Sequence, residues 1–305
     1  MKKSNEIENK ILNITKEVLK TNDVEILFRL PGGMSNYTYV VNANNKKYVV
    51  RIPGEYASLF INRKEEKENL LRIEKLGIVP ETIYFDLDSG IKISEFIEGA
   101  PLSDAQLNEE TLQKVAKTLQ ILHQSEIIAS SDYDYFALMN TLEKQIERID
   151  KRYFKLKKTL ENYIYITEEY PKVFCHGDTQ LSNFIVSDSD DVYLVDYEFS
   201  GNAPLYFDLS IFGFLGFNRA LSLGEVYFGR ELTKKEVFLL HLFRLQQYLQ
   251  WYTVARIKSK KELSKKLHIP FAYYASEYIK LSKYHEKELL KIAEELKIPS
   301  KCTVS

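Results

Sequence analysis

One short stretch of the chain carries side chains that are well suited to chemistry. Asp178 belongs to the run His176-Gly177-Asp178, Asn183 follows five positions later, and a second carboxylate, Asp196, lies eighteen positions beyond Asp178. A carboxylate can accept the proton of a hydroxyl group, and carboxylate and amide oxygens can hold Mg²⁺. These residue types therefore suit a reaction in which a hydroxyl group attacks a phosphate that a metal ion holds.

The residues between Asp178 and Asp196 predict how the two carboxylates meet. β-Forming residues run from Phe184 to Val186 and from Val192 to Val195, and the polar turn 187–191 separates them, which is the pattern of a β-hairpin. Gly, Asp, Asn and Ser also favour ordinary turns, so the His-Gly-Asp triplet alone carries little weight. Together with the amide and the hairpin, the triplet matches the catalytic loop and metal-binding strand of kinases.

The segment from Val173 to Ser210 resembles the choline and ethanolamine kinases, which belong with the aminoglycoside phosphotransferases to the protein-kinase-like superfamily. Those kinases, and the bacterial choline kinases in particular, carry an acidic residue two positions after the metal-binding Asp, and here this residue is Glu198. Asp208 fits the Asp that braces the catalytic loop in such folds. The resemblance extends over residues 24 to 260 and implies an ATP-dependent alcohol phosphotransferase.

The resemblance also implies a fold. We expect an α+β, protein-kinase-like fold with two lobes. Residues 1–96 would form a small N-terminal antiparallel-sheet lobe that binds the nucleotide, and residues 97–305 a larger, mostly helical lobe for catalysis and acceptor binding. The chain-breaking residues between Glu95 and Pro101 predict the linker between the lobes. By resemblance, backbone groups of Glu95 and Ile97 would hold the adenine edge of ATP.

A glycine-rich loop lies near the amino terminus. The run Pro31-Gly32-Gly33-Met34-Ser35-Asn36 separates two stretches of β-forming residues, Val24 to Leu30 and Tyr37 to Val41. Glycine lets a backbone approach a phosphate closely, and hydroxyl, amide and N–H groups can donate to its oxygens. Taken alone, a Gly-Gly pair is more often only a hairpin turn. Its place before a strand that ends in a cation predicts contacts with ATP from Gly33, Ser35 and Asn36.

That cation is Arg51, which stands where kinase-like folds place the cation of their third strand. A guanidinium is always charged and can bind a phosphate through two N–H groups, whereas the alternative is a solvent-facing charge at a strand end. Residues 61–76 predict a helix, and kinase-like folds need a Glu on this helix to pair with the cation. We expect Glu66 in this role, with Glu65 as the alternative, although either could be a solvated charge.

Aromatic residues are dense in the carboxyl-terminal half, with fourteen between residues 197 and 252. A quaternary ammonium group is held best by aromatic faces, so this density opposite Glu198 suggests choline, although most of these rings must fill the core. Tyr248, Trp251 and Tyr252 share one face by helical spacing. Choline kinases carry two tryptophans three residues apart in the corresponding helix, whereas this chain has one. We predict an acceptor site lined by Asp178, Gln180, Glu198, Phe199, Tyr248, Trp251 and Tyr252.

The implied mechanism is direct transfer of the γ-phosphate of ATP to a small amino alcohol, with choline as the leading acceptor. Asp178 would orient the hydroxyl group and accept its proton, while Asn183 and Asp196 would hold Mg²⁺ on the phosphates. Arg51 and the glycine-rich loop would neutralise and position these phosphates. An aminoglycoside or other small-molecule phosphotransferase of the same fold, and a catalytically inert nucleotide-binding scaffold, stay open as alternatives.

Bulk composition narrows the class of protein. The 305 residues suffice for two lobes, and a net charge of −1 predicts no nucleic-acid partner. Two cysteines, Cys175 and Cys302, are too few for a disulfide framework and favour a reduced compartment. The amino terminus lacks the apolar region of a secretory signal, and the apolar runs are too short to span a membrane. We expect a soluble cytoplasmic protein without a membrane partner, and the sequence does not determine its oligomeric state.

Helical periodicity predicts further elements that carry no chemistry of their own. Residues 5–20 read as an amphipathic helix, and Asn108 reads as the N-cap of a helix that ends near His123. Residues 138–170 are helical in composition and rich in Lys and Glu. We expect these segments to pack around the catalytic residues.

Overall fold

The structure, a computed structural model, describes residues 2–30, 36–260, 263 and 269–301. Its strands are β1 (Val24–Arg29), β2 (Asn36–Ala43), β3 (Lys46–Pro53), β4 (Thr82–Phe85), β5 (Lys92–Glu95), β6 (Gly99–Pro101), β7 (Lys172–Cys175), β8 (Phe184–Ser187), β9 (Val192–Leu194) and β10 (Gly201–Pro204). Its helices are α1 (Lys2–Leu19), α2 (Arg63–Ile73), α3 (Glu109–His123), α4 (Tyr135–Glu143), α5 (Lys151–Tyr163), α6 (Tyr206–Ile211), α7 (Phe217–Phe228), α8 (Lys234–Lys260) and α9 (Phe271–Glu295).

The N-terminal part is organised by one antiparallel sheet, in which the strands lie in the order β1-β2-β3-β5-β4. Side chains alternate between the two faces of a strand. Val50 and Ile52 of β3 therefore join the small apolar core that includes Ile11 of α1. Arg51, which lies between them, faces the opposite side of the sheet, where the site described below lies.

The helical part is centred on α8. Almost every residue of this helix is buried, because it packs against α9, α6, α4 and α5. A helix that is covered on several sides needs no single apolar stripe, and this one even buries the guanidinium of Arg244 completely. The helix thereby supplies one side of the large apolar core.

Two small sheets carry the segments that contain Asp178 and Asp196. Strand β7 pairs with β10 and ends just before His176. Strands β8 and β9 pair as an antiparallel hairpin, with Ile185 opposite Tyr193. The predicted hairpin is confirmed, and so is the α+β fold with an N-terminal antiparallel sheet and a helical C-terminal part. The boundary between residues 96 and 97 stays a prediction.

The predicted helices are found with altered bounds. The N-cap role of Asn108 is confirmed, since its side chain accepts a hydrogen bond from the Thr111 N–H at 2.8 Å. Helix α2 begins two residues later than expected, because the Asn62 side chain caps it. The predicted helical stretch 138–170 is divided into α4 and α5, and Asp150 caps the second of them through the Arg152 N–H.

Among the described helices, none combines the length and the hydrophobicity that crossing a bilayer requires.

A buried histidine pair joins α8 to α9. The Nδ1 atoms of His241 and His285 lie 2.8 Å apart, so the N–H of one ring must donate a hydrogen bond to the nitrogen of the other. Burial and the nearby Arg244 lower the pKa of His241 to about 4. Burial, His241 and Arg244 lower the pKa of His285 to about 2. If either ring took up an additional proton, the resulting imidazolium would place a positive charge beside an arginine that is already buried.

We therefore expect acid to destabilise the protein through this pair. A histidine whose pKa is depressed on folding stabilises the folded state fully above pH ~6.5, and this contribution is lost as the pH falls toward the folded pKa. The free energy of unfolding of the His285→Gln variant should depend less on pH between about 6.5 and 4 than that of the wild type, by an amount on the order of 2 kcal/mol. Urea unfolding at several pH values measures this difference. Equal pH dependence in both proteins would refute it.

Candidate active site

The loop that carries Asp178 is held from behind by Asp208 of α6. The two oxygens of this carboxylate accept the N–H groups of His176 at 2.7 Å and of Gly177 at 2.8 Å. His123 of α3 contacts the same carboxylate through Nε2 at 3.1 Å. Since Asp208 is fully buried, these bonds fix the loop backbone without competition from water. The bracing role that the resemblance implied for Asp208 matches this geometry.

His176 connects the loop to the β8–β9 hairpin. Its Nδ1 accepts the Asp178 N–H at 3.1 Å, so its Nε2 carries the proton and donates to the Val195 carbonyl at 2.8 Å. Burial lowers the pKa of His176, which favours this neutral form. The ring therefore sets the separation between Asp178 and the residue that follows Val195, which is Asp196.

Asp178 is buried and is held by two amides. Its carboxylate accepts hydrogen bonds from Gln180 Nε2 at 2.7 Å and from Asn183 Nδ2 at 3.0 Å. Burial raises the pKa of Asp178 to about 7, and the charge of Asp196 adds to the shift. A carboxylate with a raised pKa is a better proton acceptor for a hydroxyl group than an ordinary one. Asp178 therefore has the position and the basicity of a general base.

Asp196 and Asn183, the predicted metal ligands, lie on two segments that a backbone hydrogen bond joins. Asp196 adopts the left-handed conformation, with φ of 69°, and keeps a third of its side chain exposed. The Val195 N–H donates to the Asn183 carbonyl at 2.9 Å, which ties the two segments together. The Asn183 amide donates through nitrogen, so its side-chain oxygen stays an acceptor. An oxygen-rich set of this kind suits Mg²⁺.

Arg51 lies at the centre of a buried group of charges. Its Nη1 is 2.6 Å from Glu66 Oε1, 3.1 Å from Asp196 Oδ1 and 3.7 Å from Glu198 Oε2. Although burial opposes it, these carboxylates raise the pKa of Arg51. The alternative partner Glu65 instead accepts a hydrogen bond from Ser131 at 2.9 Å. Of the two glutamates considered from the sequence, the structure therefore brings Glu66 to Arg51.

Two donors of Arg51 are buried without use. Within the part of the chain that the structure describes, neither Nε nor Nη2 has a hydrogen-bond partner. A buried donor left without an acceptor costs free energy of about 1–3 kcal/mol. An oxyanion such as a phosphate would satisfy both donors at once, because the guanidinium presents them as a fork. Arg51 therefore keeps two donors that its described neighbours do not use.

Glu198 is held by polar partners from the N-terminal part of the chain. Its Oε2 accepts a hydrogen bond from Asn36 Nδ2 at 2.8 Å and lies 3.5 Å from Arg63 Nη1. Burial and the charge of Asp196 raise its pKa to about 8. Glu198 thus belongs to the charged group around Arg51, and its place opposite aromatic residues of the acceptor site stays a prediction.

The three predicted aromatic residues of α8 do not share one environment. Trp251 contacts Phe199 edge to face at 5.7 Å, and Tyr248 donates to the Phe214 carbonyl at 2.5 Å. Tyr252 accepts the Asp150 N–H at 3.0 Å and stacks on a tyrosine of α5. The three residues keep helical spacing in α8, but their side chains contact different neighbours, since α8 is covered on several sides. Phe199 and Trp251 are brought together, and Tyr252 lies elsewhere.

Several residues of the site have no counterpart in the sequence prediction. Arg63 donates to Glu66 Oε2 at 2.7 Å, and Lys92 Nζ lies 3.8 Å from Glu66 Oε1. Tyr133 and Tyr278 are also near Asp178, whose charge joins burial in raising the pKa of both. Arg63 is the first residue of α2 after its cap, a position where a charged side chain is usually exposed. The sequence therefore offered no signal that Arg63 is buried.

Some predicted contacts stay predictions. Gly33 and Ser35 lie outside the described residues. Glu95 ends β5, and its N–H donates to the Glu81 carbonyl at 3.0 Å, so this donor is already used. Ile97 follows two residues later in the linker. The adenine contacts expected from these backbone groups are not tested by this geometry.

Comparison with known proteins decides the family. The model of the choline/ethanolamine kinase family matches residues 27–217, which is more than half of the chain. The chain belongs to the choline/ethanolamine kinase family. Protein LicA of Haemophilus influenzae is 31% identical over 191 residues, which cover 59% of this chain and 56% of that protein. Ethanolamine kinase 1 of Homo sapiens is 25% identical over 277 residues, which cover 73% and 59% respectively.

The fold is also shared with solved members of the family. The crystal structure of choline kinase LicA from Streptococcus pneumoniae superposes with a TM-score of 0.74 at 23% identity and covers 91% of this chain and 98% of that one. This likeness establishes the protein-kinase-like fold. The chain spans little more than half the length of the two sequence relatives described above. What those proteins do as wholes is therefore a proposal for this chain.

Gly177 offers a direct test of the loop geometry. It has φ of 82°, and a Cβ built on it would lie 2.2 Å from the Phe199 carbonyl oxygen. Gly77 is a matched control, because its φ is 69° but a Cβ there meets nothing within 4 Å. We expect Gly77→Ala to cost about 1 kcal/mol through its backbone alone. Gly177→Ala should cost at least ~3 kcal/mol, since the backbone of residue 199 must also move.

Chemical denaturation of both variants measures the two costs. Equal losses of unfolding free energy in the two variants would show that the loop does not pack against residue 199 as described.

Proposed function

We propose that this protein is a magnesium- and ATP-dependent kinase that transfers the γ-phosphate to the hydroxyl group of a small amino alcohol, with choline as the preferred acceptor. The observation that carries the proposal is the buried Asp178, which two amides orient, and the unused donors of Arg51 support it. Membership of the choline/ethanolamine kinase family supports the same reaction.

Each residue then has a role. Asp178 orients the acceptor hydroxyl group through one oxygen and takes its proton as the oxygen attacks the γ-phosphorus. Gln180 and Asn183 hold this carboxylate in place. Arg51 neutralises the phosphates through the donors that otherwise lack partners. The bond from the γ-phosphorus to the bridging oxygen breaks as the new bond forms, and ADP leaves.

Asn183 and Asp196 are the residues that would hold Mg²⁺. Both offer hard oxygen ligands, and the partial exposure of Asp196 leaves room for a ligand at its carboxylate. The ion would supply charge compensation between the phosphates when bound. Since positioning and charge compensation dominate phosphoryl transfer, Asp196 should matter at least as much as Asp178.

Choline is favoured as the acceptor because two tyrosines, Tyr133 and Tyr278, lie near Asp178. Tyr278, whose pKa is raised by burial and in part by Asp178, stacks on Tyr248 at 5.9 Å. Phe199 and Trp251 form a second aromatic pair. Aromatic faces attract a quaternary ammonium, which cannot donate a hydrogen bond. Ethanolamine could use the same rings, and an aminoglycoside would instead need several acidic groups.

The proposal is tested by magnesium-dependent ADP release with choline, ethanolamine and kanamycin as acceptors. Stimulation by choline, with formation of phosphocholine, is the expected result. Stimulation by kanamycin alone would make an aminoglycoside, and not choline, the acceptor. Binding of ATP without stimulation by any acceptor would favour an inert nucleotide-binding scaffold. Chelation of the metal should abolish turnover.

Loss of Asp178 should abolish most of the activity. Asp178→Asn keeps the size of the side chain but removes the proton acceptor, and we expect kcat to fall roughly a hundredfold to ten-thousandfold. Asp188→Asn, in the exposed turn of the same hairpin, is the control and should retain wild-type kcat. Steady-state kinetics with choline measure both. A small loss in the Asp178 variant would remove it from the role of base.

Trp251 should contribute to the affinity for the acceptor. We expect Trp251→Leu to raise the KM for choline about tenfold, because a cation over an aromatic face is worth about 0.5–2 kcal/mol. The KM for ATP should change much less. Tyr252→Phe is the matched control from the next position, and since Tyr252 contacts α5 instead, its KM for choline should stay unchanged. Equal effects of the two variants would remove Trp251 from the acceptor site.

A further inference from the structure

Lys92 is a buried cation that the mechanism above does not use. It lies on β5 directly opposite Arg51 of β3 in the register of the sheet. Residues directly opposite each other in an antiparallel pair project from the same face. Both side chains are nearly covered, with exposed fractions of 12% for Lys92 and 5% for Arg51. Two cations thus lie side by side on the face of the sheet that carries the site.

Both cations reach the same oxygen of one carboxylate. Glu66 Oε1 lies 2.6 Å from Arg51 Nη1 and 3.8 Å from Lys92 Nζ. The other oxygen of Glu66 accepts a hydrogen bond from Arg63 at 2.7 Å. The Glu66 side chain is completely buried, so it depends on these cations for its charged form. Arg51 and, to a smaller extent, Lys92 and Arg63 lower the pKa of Glu66 against the effect of burial.

The two cations differ in their other partners. Arg51 also contacts Asp196 and carries two donors without partners, whereas Lys92 forms an ion pair only with Glu66 among the described residues. Once Arg51 shares its charge with nucleotide phosphates, its attraction for Glu66 weakens. A fully buried carboxylate that loses its partner is strongly destabilised. Something must compensate Glu66 at that moment, and Lys92 is already beside it.

We propose that Lys92 is a positioning residue that holds the charge of Glu66, and thereby helix α2, while Arg51 binds the phosphates of ATP. This inference rests on the proposed function, because it assumes that Arg51 binds nucleotide phosphates. Lys92 acts through Glu66 and makes no contact with the reacting atoms. A lysine ammonium suits this role, since it is a compact charge on a flexible stem that can approach Glu66 as Arg51 moves away.

The surroundings of Lys92 are consistent with this role. Burial and the charge of Arg51 lower the pKa of Lys92 to about 8, and Glu66, Asp196 and Glu198 oppose the shift. The ammonium is thus kept charged at neutral pH by the carboxylates around it. His176 also lies close enough for Lys92 to lower its pKa. Lys92 therefore faces the centre of the site.

The test compares Lys92→Met and Lys92→Arg by calorimetric binding of Mg·ATP and by steady-state kinetics. We expect Lys92→Met to raise both the Kd and the KM for ATP about tenfold, with a smaller change in kcat, because a buried charge loses one of its partners. Lys92→Arg should restore ATP affinity to within about threefold, since it keeps the charge. Lys64→Met, an exposed lysine of the same helix as Glu66, should bind ATP like the wild type.

A double-mutant cycle with Glu66→Gln decides whether Lys92 acts through Glu66. In the Glu66→Gln background there is no charge to compensate, so Lys92→Met should change ATP affinity by less than about threefold. An unchanged tenfold effect in that background would show that Lys92 acts on the phosphates directly and would overturn the proposal. If Glu66→Gln does not fold, failure of Lys92→Arg to restore affinity overturns it instead.

The outcomes for the two proposals are distinguishable. If the wild type binds and turns over ATP and Lys92→Met binds it equally well, the role of Lys92 is refuted while the kinase assignment stands. If the wild type does not bind Mg·ATP, the proposed function fails and the role of Lys92 fails with it.

Discussion

The site depends on one guanidinium that joins three parts of the chain. Arg51 of β3 contacts Glu66 of α2 and Asp196 after β9 through the same nitrogen. A buried ion pair contributes little to stability by itself, because the cost of removing both charges from water offsets their attraction. The proposed binding of nucleotide phosphates by Arg51 would account for keeping these charges together. The two unused donors of Arg51 are the groups that would bind such a phosphate in the proposed function.

Behind this group of charges, neutral and fixed interactions hold the catalytic loop. Asp208 accepts two consecutive backbone N–H groups, and His176 bonds to both the loop and the hairpin. Gly177 also lies so close to the backbone of residue 199 that a Cβ there would be 2.2 Å from its carbonyl oxygen. These bonds hold the loop that carries Asp178 in a fixed position. The charged group around Arg51, by contrast, would change its pairing when phosphates bind. A fixed loop for Asp178 and an adaptable group of charges around Arg51 both suit phosphoryl transfer, in which positioning and charge compensation provide most of the catalysis.

The sequence predicted the parts of the site whose residues are close in the chain. The spacing of Asp178, Asn183 and Asp196 around a hairpin is a local pattern, and the structure reproduces that hairpin. It could not reveal that Lys92 and Arg63 are buried, because each resembles a solvated charge until the sheet and α2 pack against the rest of the chain. Nor could it choose a face of α8, since a helix covered on several sides shows no single apolar stripe.

The most direct test of this account is a crystal structure of the protein with Mg²⁺ and a non-hydrolysable ATP analogue. The account predicts phosphate oxygens within hydrogen-bond distance of Arg51 Nε and Nη2, and a metal ion on Asp196 and the Asn183 side-chain oxygen. It would be contradicted by a nucleotide whose phosphates lie away from Arg51 while those two donors stay buried without acceptors.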